Sequence, residues 1–110
     1  ENIQITKTDK VLRYMGLAAR GRMLAVGYNT CILMMNRRKI KILILAGDLA
    51  DNSKEKMISN AKKNNVPFRI YGSMENLSHI TGKENSGIFG ITDENLSKAI
   101  LEEIDHIQSM

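Results

Sequence analysis

The chain has 110 residues, of which 43% are apolar and 25% charged; this fits one globular domain with its own core and excludes a disordered chain. No apolar run approaches the roughly 18 residues needed to span a bilayer, and a single cysteine excludes an internal disulfide or a cysteine-based metal site. The net charge of +4 is uneven: residues 1–69 hold 14 Lys/Arg against five Asp/Glu, and residues 70–110 hold two against seven, a polarity expected of one cationic face for a polyanion.

The opening Glu1-Asn2-Ile3-Gln4 is polar and acidic, so no signal peptide is expected, and the lack of an initiator Met points to a few leading residues that are missing or processed. Thr8 and Asp9 are caps for a first helix. Its apolar stripe is Leu12, Met15 and Ala19 with Val11 and Ala18, and Gly21 ends it. Met23 to Val26 read as a short strand. Gly27 then turns the chain into a second helix, about 29–38, whose Cys31 lies among Ile32, Leu33, Met34 and Met35 and reads as a small buried hydrophobe. Residues 40–46 are nearly all β-branched or Leu, as in a central strand covered on both faces.

Asn52 with Glu55 three residues on forms a capping box for a third helix, whose inward positions are Met57, Ile58 and Ala61. Asn64-Asn65 ends it, and Pro67 forbids continuation. Phe68 to Tyr71 is a third strand. Ser73 caps a short fourth helix with Leu77 and Ile80 inward, and Gly82 closes it. After a loop at 83–87, Ile88 to Ile91 is a fourth strand. Thr92 or Asp93 caps the last helix, with Leu96, Ile100, Ile104 and Ile107 as its stripe. Alternating helices and strands predict a sheet with helices on both faces and right-handed crossovers. Ligands of such folds gather at the loops along one end of the sheet, here Gly27 to Thr30, Gly47-Asp48 and the loop at 83–87.

Several segments, in order, resemble one known family: Leu17-Ala18-Ala19-Arg20 with Leu24 and Gly27; Lys41 to Ala46; Asp48 with Asn52-Ser53 and Lys56; Asn65 to Phe68; Leu77 with Gly82-Lys83-Glu84; and Ile91-Thr92-Asp93. The chain is similar to the ribosomal L-seven-Ae / L-thirty-e family of small RNA-binding proteins, especially its bacterial YlxQ-like branch, over about residues 9–107. The resemblance implies a three-layer α/β/α sandwich around a mixed four-stranded sheet. It also implies binding to kink-turns, RNA helices bent sharply at tandem sheared G·A pairs. In the family's recognition segment, Gly27 matches the glycine that lets the backbone approach RNA, and Asn29 the amide that reads a guanine. Thr30 stands where the family often has Glu and Leu33 where it often has Lys, which removes one acceptor and one cation. In a second loop the family packs against an extruded nucleotide. There Glu84 fits the pattern, while Lys83 and Asn85 point to phosphate or sugar contacts.

Each residue also has a plainer reading. Asn29 serves as a helix cap, as a reader of RNA, or as both, since a helix N-terminus also receives phosphates. Tyr28 stacks on a base or covers the first helical turn. Arg37, Arg38, Lys39 and Lys41 are either a dipole-favoured helix end or RNA-backbone contacts. Arg20 and Arg22, expected to fold close to Gly27, are phosphate candidates. His79 and His106 lack ligand spacing, Asp48 has no acidic partner just before it, and no phosphate-binding glycine motif is present. The expectation is a single domain over 1–110: a cytoplasmic, monomeric, non-catalytic protein without cofactor or metal, bound to structured RNA such as a kink-turn or rRNA and associated with the ribosome. The alternatives are a protein-interaction module using Leu33, Met34 and Met35, or an RNA-binding module acting beside an enzyme such as an RNA methyltransferase.

Overall fold

The computed structural model describes residues 9–110, so the capping role expected of Thr8 lies outside the described residues. In chain order the elements are α1 (Lys10–Arg20), β1 (Leu24–Val26), α2 (Tyr28–Asn36), β2 (Ile42–Leu45), α3 (Asp51–Lys63), β3 (Phe68–Ile70), α4 (Met74–Thr81), β4 (Ile88–Ile91) and α5 (Glu94–Gln108). The strands form one sheet in the order β1-β4-β2-β3. β4 runs antiparallel to both of its neighbours, and β2 pairs parallel with β3. The fold is the expected α/β/α sandwich with a mixed four-stranded sheet.

The period of two in β2 builds both sides of the core. Ile42 and Ile44 face one layer with Phe89 and Ile91, against Val11, Met15, Leu77, Ile100 and Ile104 of α1, α4 and α5. Leu43 and Leu45 face the other, against Cys31 and Met35 of α2 and Met57 and Ala61 of α3. All four β2 residues are buried, as a strand covered on both faces requires. Gly90 on β4 is set by packing: a Cβ there would lie 3.0 Å from Ile40 Cγ1 and 3.2 Å from its Cγ2. Ile40, just outside the strand predicted to contain it, fills that space.

Side-chain caps fix three helix starts. Asp9 accepts from Leu12 N–H, Ser73 from Asn76 N–H and Asp93 from Leu96 N–H. Asp9 has a second use, because Tyr71 donates its phenol to the other carboxylate oxygen at 2.7 Å. Burial, helped by that carboxylate, raises the Tyr71 pKa. Two expected caps differ. α3 starts at Asp51 behind Ala50, without a side-chain cap, so Asn52 and Glu55 lie inside the helix and form no capping box; Asp51 in the first turn complements the helix dipole instead. Gly21 is the C-cap of α1 but keeps φ −86°, and the left-handed residue is Arg22, φ 60°. At the far end of α5, Ile107 is 37% exposed, so the apolar stripe ends at Ile104.

Candidate nucleic-acid interface

The sheet has two ends of different character. β1 and β2 finish at the same end, where β4 begins. The Gly27 N–H donates to Ile88 O at 2.9 Å, Ala46 N–H to Gly87 O at 2.9 Å and Gly47 N–H to Gly72 O at 2.8 Å. The strand order therefore sets the start of α2, the loop before β4 and the Gly47-Asp48 loop side by side, as the pattern of strand ends predicts.

Gly27 is the N-cap of α2, with φ 96° and ψ 165° and no side-chain cap bond. No side chain adopts this conformation cheaply, although open space surrounds the position. Asn29 is therefore not the cap. It is the second residue of the helix, exposed, and its amide makes no hydrogen bond with the described residues. Thr30 is exposed beside it, and the first-turn N–H groups point outward without intrahelical partners. Tyr28 is half-buried and packs on the core below, so its ring covers the first turn.

Within α2, Cys31 is fully buried, donates to Ala25 O at 3.5 Å and has its thiol pushed up to about 12 by burial. Such a thiol is inert at neutral pH. Met35 is fully buried and Met34 half-buried. The apolar surface expected from Leu33, Met34 and Met35 thus shrinks to Leu33, 48% exposed. Leu33 lies one turn below Asn29 on the same helix face.

The second loop is held by a reciprocal pair. Ser78 Oγ donates to Ser86 O and accepts from Ser86 N–H, both at 3.1 Å. Gly82 and Asn85 adopt left-handed backbone, and Lys83, Glu84 and Asn85 are all exposed. Glu84 and Asn85 line an open cleft of about 500 Å³ with Asp48, Met74, Ser78 and His79. Asp48 is already occupied, accepting from Met74 N–H at 2.8 Å to tie the β2 loop to α4. Lys54 reaches back to Gly47 O at 2.8 Å. The Ser78–Ser86 and Lys54–Gly47 links escaped the sequence reading, because no local pattern marks a bond from a helix to a loop residue eight or seven positions away.

The cations are elsewhere. Arg20 and Arg22 precede β1, whereas Gly27 follows it, so Arg22 and Gly27 sit at opposite ends of that strand, about 16 Å of extended chain apart. Arg37 and Lys39 follow α2, whose nine residues carry the chain roughly 13 Å from its start. The expected single edge combining the α2 start with the arginines and lysines is thus divided. Arg20, Arg22, Arg37 and Lys39 lie at the opposite end of the sheet from Asn29, and Lys83 is the candidate cation that shares Asn29's end. Arg37 still shares a helix face with Asn29 and Leu33, two turns down.

The profile of the Ribosomal protein L7Ae/L30e/S12e/Gadd45 family matches residues 9–101. The chain belongs to this family. An RNA-binding protein YlxQ from Enterococcus faecium is 30% identical over 98 residues, 88% of this chain and 93% of that protein. An RNA-binding protein YlxQ from Bacillus subtilis is 24% identical over 91 residues, 83% and 91% of the two chains. A Bacillus halodurans structure of unknown function superposes with a TM-score of 0.84 at 26% identity, covering 87% of this chain and 97% of its own. The Giardia lamblia 15.5kD RNA binding protein shares the fold, with a TM-score of 0.74 at 18% identity over 93% and 91% of the two chains. Among the described residues, no helix is long and apolar enough to cross a membrane.

Proposed function

We propose that the chain is a non-catalytic RNA-binding protein that recognises a kink-turn-like bend, acting in the cytoplasm as a monomer associated with the ribosome. The observation that carries this reading is the exposed start of α2 beside the exposed Lys83-Glu84-Asn85 loop, with the Asn29 amide making no hydrogen bond to the described residues. An amide both donates and accepts, which suits a purine edge. Gly27 leaves room for the RNA backbone to approach, and the first-turn N–H groups and helix dipole favour phosphate. Lys83 adds one cation, Asn85 a sugar or phosphate contact, and Glu84 an acceptor for an extruded nucleotide. Membership of the family and the RNA-binding relatives support the same reading.

The reactive groups support a non-catalytic role: the Cys31 thiol is buried and raised, and the Asp48 carboxylate is committed to an N–H of α4. Gel-shift titration of a kink-turn RNA against a straight duplex of matched length, each at two salt concentrations, tests the reading. The kinked RNA should bind at least tenfold more tightly at both salts, because shape readout by an amide and backbone is less screened than phosphate attraction. Equal affinities would reject it.

A further inference from the structure

At the end of the sheet opposite Asn29, three helices finish in the same way. α1 closes with Arg22 N–H on Ala19 O and Met23 N–H on Ala18 O; α2 with Arg38 N–H on Met35 O and Lys39 N–H on Met34 O; α3 with Asn65 N–H on Lys62 O and Val66 N–H on Ala61 O. Each pair of bonds is a Schellman motif, which needs one left-handed residue. That residue is Arg22 at φ 60°, Arg38 at φ 59° and Asn65 at φ 58°. Asn tolerates the conformation and glycine would be the low-cost choice. Arginine is neither, and it stands there twice.

The three turns are neighbours. Thr92 N–H donates to Met23 O at 3.0 Å and Lys41 N–H to Ile91 O at 2.7 Å, so Arg22 and Lys41 flank the end of β4. Asn64 Nδ2 donates to Asn36 Oδ1 at 3.3 Å, which brings the α2 and α3 ends together. The sheet end therefore carries Arg22, Arg37, Arg38, Lys39, Lys41 and Lys63, every one exposed. The one ion pair among the described residues joins Arg69 to Asp105 at 2.7 Å, outside this group. Two acids share this end: Asp93 is occupied in capping α5, and Glu94, which lines a cleft with Lys41, forms no ion pair among the described residues. Compensating helix dipoles would need only a lysine in each last turn, as Lys62 and Lys63 supply for α3. It does not explain arginines in strained backbone or the lysines in the loop beyond α2. Backbone strain held at a surface with clustered charge marks a functional constraint.

We propose that this basic end is a second RNA site, which grips phosphate backbone without reading sequence, while the α2 start reads the bend. It rests on the RNA-binding reading above but concerns different residues. The face of α2 from Asn29 through Leu33 to Arg37 joins the two sites, so one folded RNA can touch both. Phosphate is the favoured ligand because arginines and lysines that form no ion pair among the described residues offer forks and point charges that match its oxygens.

The test uses two variants: Arg22→Gly/Arg38→Gly/Lys39→Gln/Lys41→Gln and, separately, Asn29→Ala. Affinity for a straight RNA duplex and for a kink-turn RNA is measured by fluorescence anisotropy across a salt series, with poly-glutamate as competitor. The fourfold variant should melt no lower than the wild type, since glycine relieves both left-handed positions. It should bind the straight duplex at least tenfold more weakly at low salt, with the slope of log K on log salt reduced by about 0.9 for each phosphate no longer gripped. Its preference for kinked over straight RNA should stay at the wild-type ratio. Asn29→Ala should do the reverse, losing the ratio and keeping the slope. An unchanged slope and duplex affinity in the fourfold variant would overturn the proposal. So would poly-glutamate displacing RNA at equal charge concentration, which would assign the surface to acidic proteins. If no protein prefers the kinked RNA but duplex binding still depends on the four cations, the basic site stands and the bend-reading role of Asn29 falls.

Discussion

Replacing Phe89 by alanine is expected to destabilise the protein by about 3–5 kcal/mol, a large share of the roughly 5–15 kcal/mol that holds a domain of this size together. Phe89 is fully buried on β4, the strand that pairs with both β1 and β2. Its ring lies in the layer between the sheet and α1, α4 and α5, so truncation removes both its transfer energy and the packing of its neighbours. An interior this dense does not collapse to fill a phenyl-sized void. The consequence reaches the candidate site. The neighbouring residue Ile88 accepts the N–H of Gly27, so a loosened β4 releases the turn that presents α2. Chemical denaturation should show the loss in midpoint with an unchanged slope, and melting should fall by more than about 10 °C. A loss below about 1 kcal/mol would mean that the two-layer core is wrongly assigned.

Asn29→Ala is expected to weaken binding of a kinked RNA by about 1–3 kcal/mol relative to a straight duplex, roughly 5- to 150-fold. The change should leave stability nearly untouched. Asn29 is exposed, caps nothing and bonds to no described residue, and alanine is the better helix former at an exposed helical position. A folded variant with full affinity for straight RNA and reduced affinity for bent RNA identifies a reader of shape. An equal loss on both RNAs would reduce Asn29 to a general contact. Titration by fluorescence anisotropy alongside a thermal melt separates these outcomes.

The elements of this fold were legible because their signals are local. The run Ile42 to Leu45 reads as a covered strand from composition alone, and it is buried throughout. Ser73 and Asp93 cap helices where a short polar side chain precedes an apolar stripe. Boundaries failed where a tertiary contact outweighed a local one. α2 stops at Asn36, two residues before its expected end, because Arg38 takes the left-handed turn that returns the chain to β2. Asn52 and Glu55 have the capping-box spacing, yet the helix starts at Asp51.

The candidate site was half legible. Gly27 needed only the recognition that a turn between strand and helix wants a positive φ, and its φ of 96° meets that need. The arginines misled because proximity in sequence is not proximity in an extended or helical segment. Arg37 is eight residues from Asn29, which is roughly 12 Å along a helix axis, and Arg22 is a full strand away from Gly27. A cation that follows a helix belongs to the opposite end of the layer from the residue that opens it. That rule, applied to the sequence, separates the start of α2 from the basic end.

The proposed RNA recognition depends on the first turn of α2. The direct measurement is an amide NMR footprint of the protein, titrated with a kink-turn RNA at moderate salt. The largest shifts should fall on Gly27 to Thr30 and on Lys83 to Ser86. Silence of those amides, with the shifts confined to the outer face of α5, would contradict it.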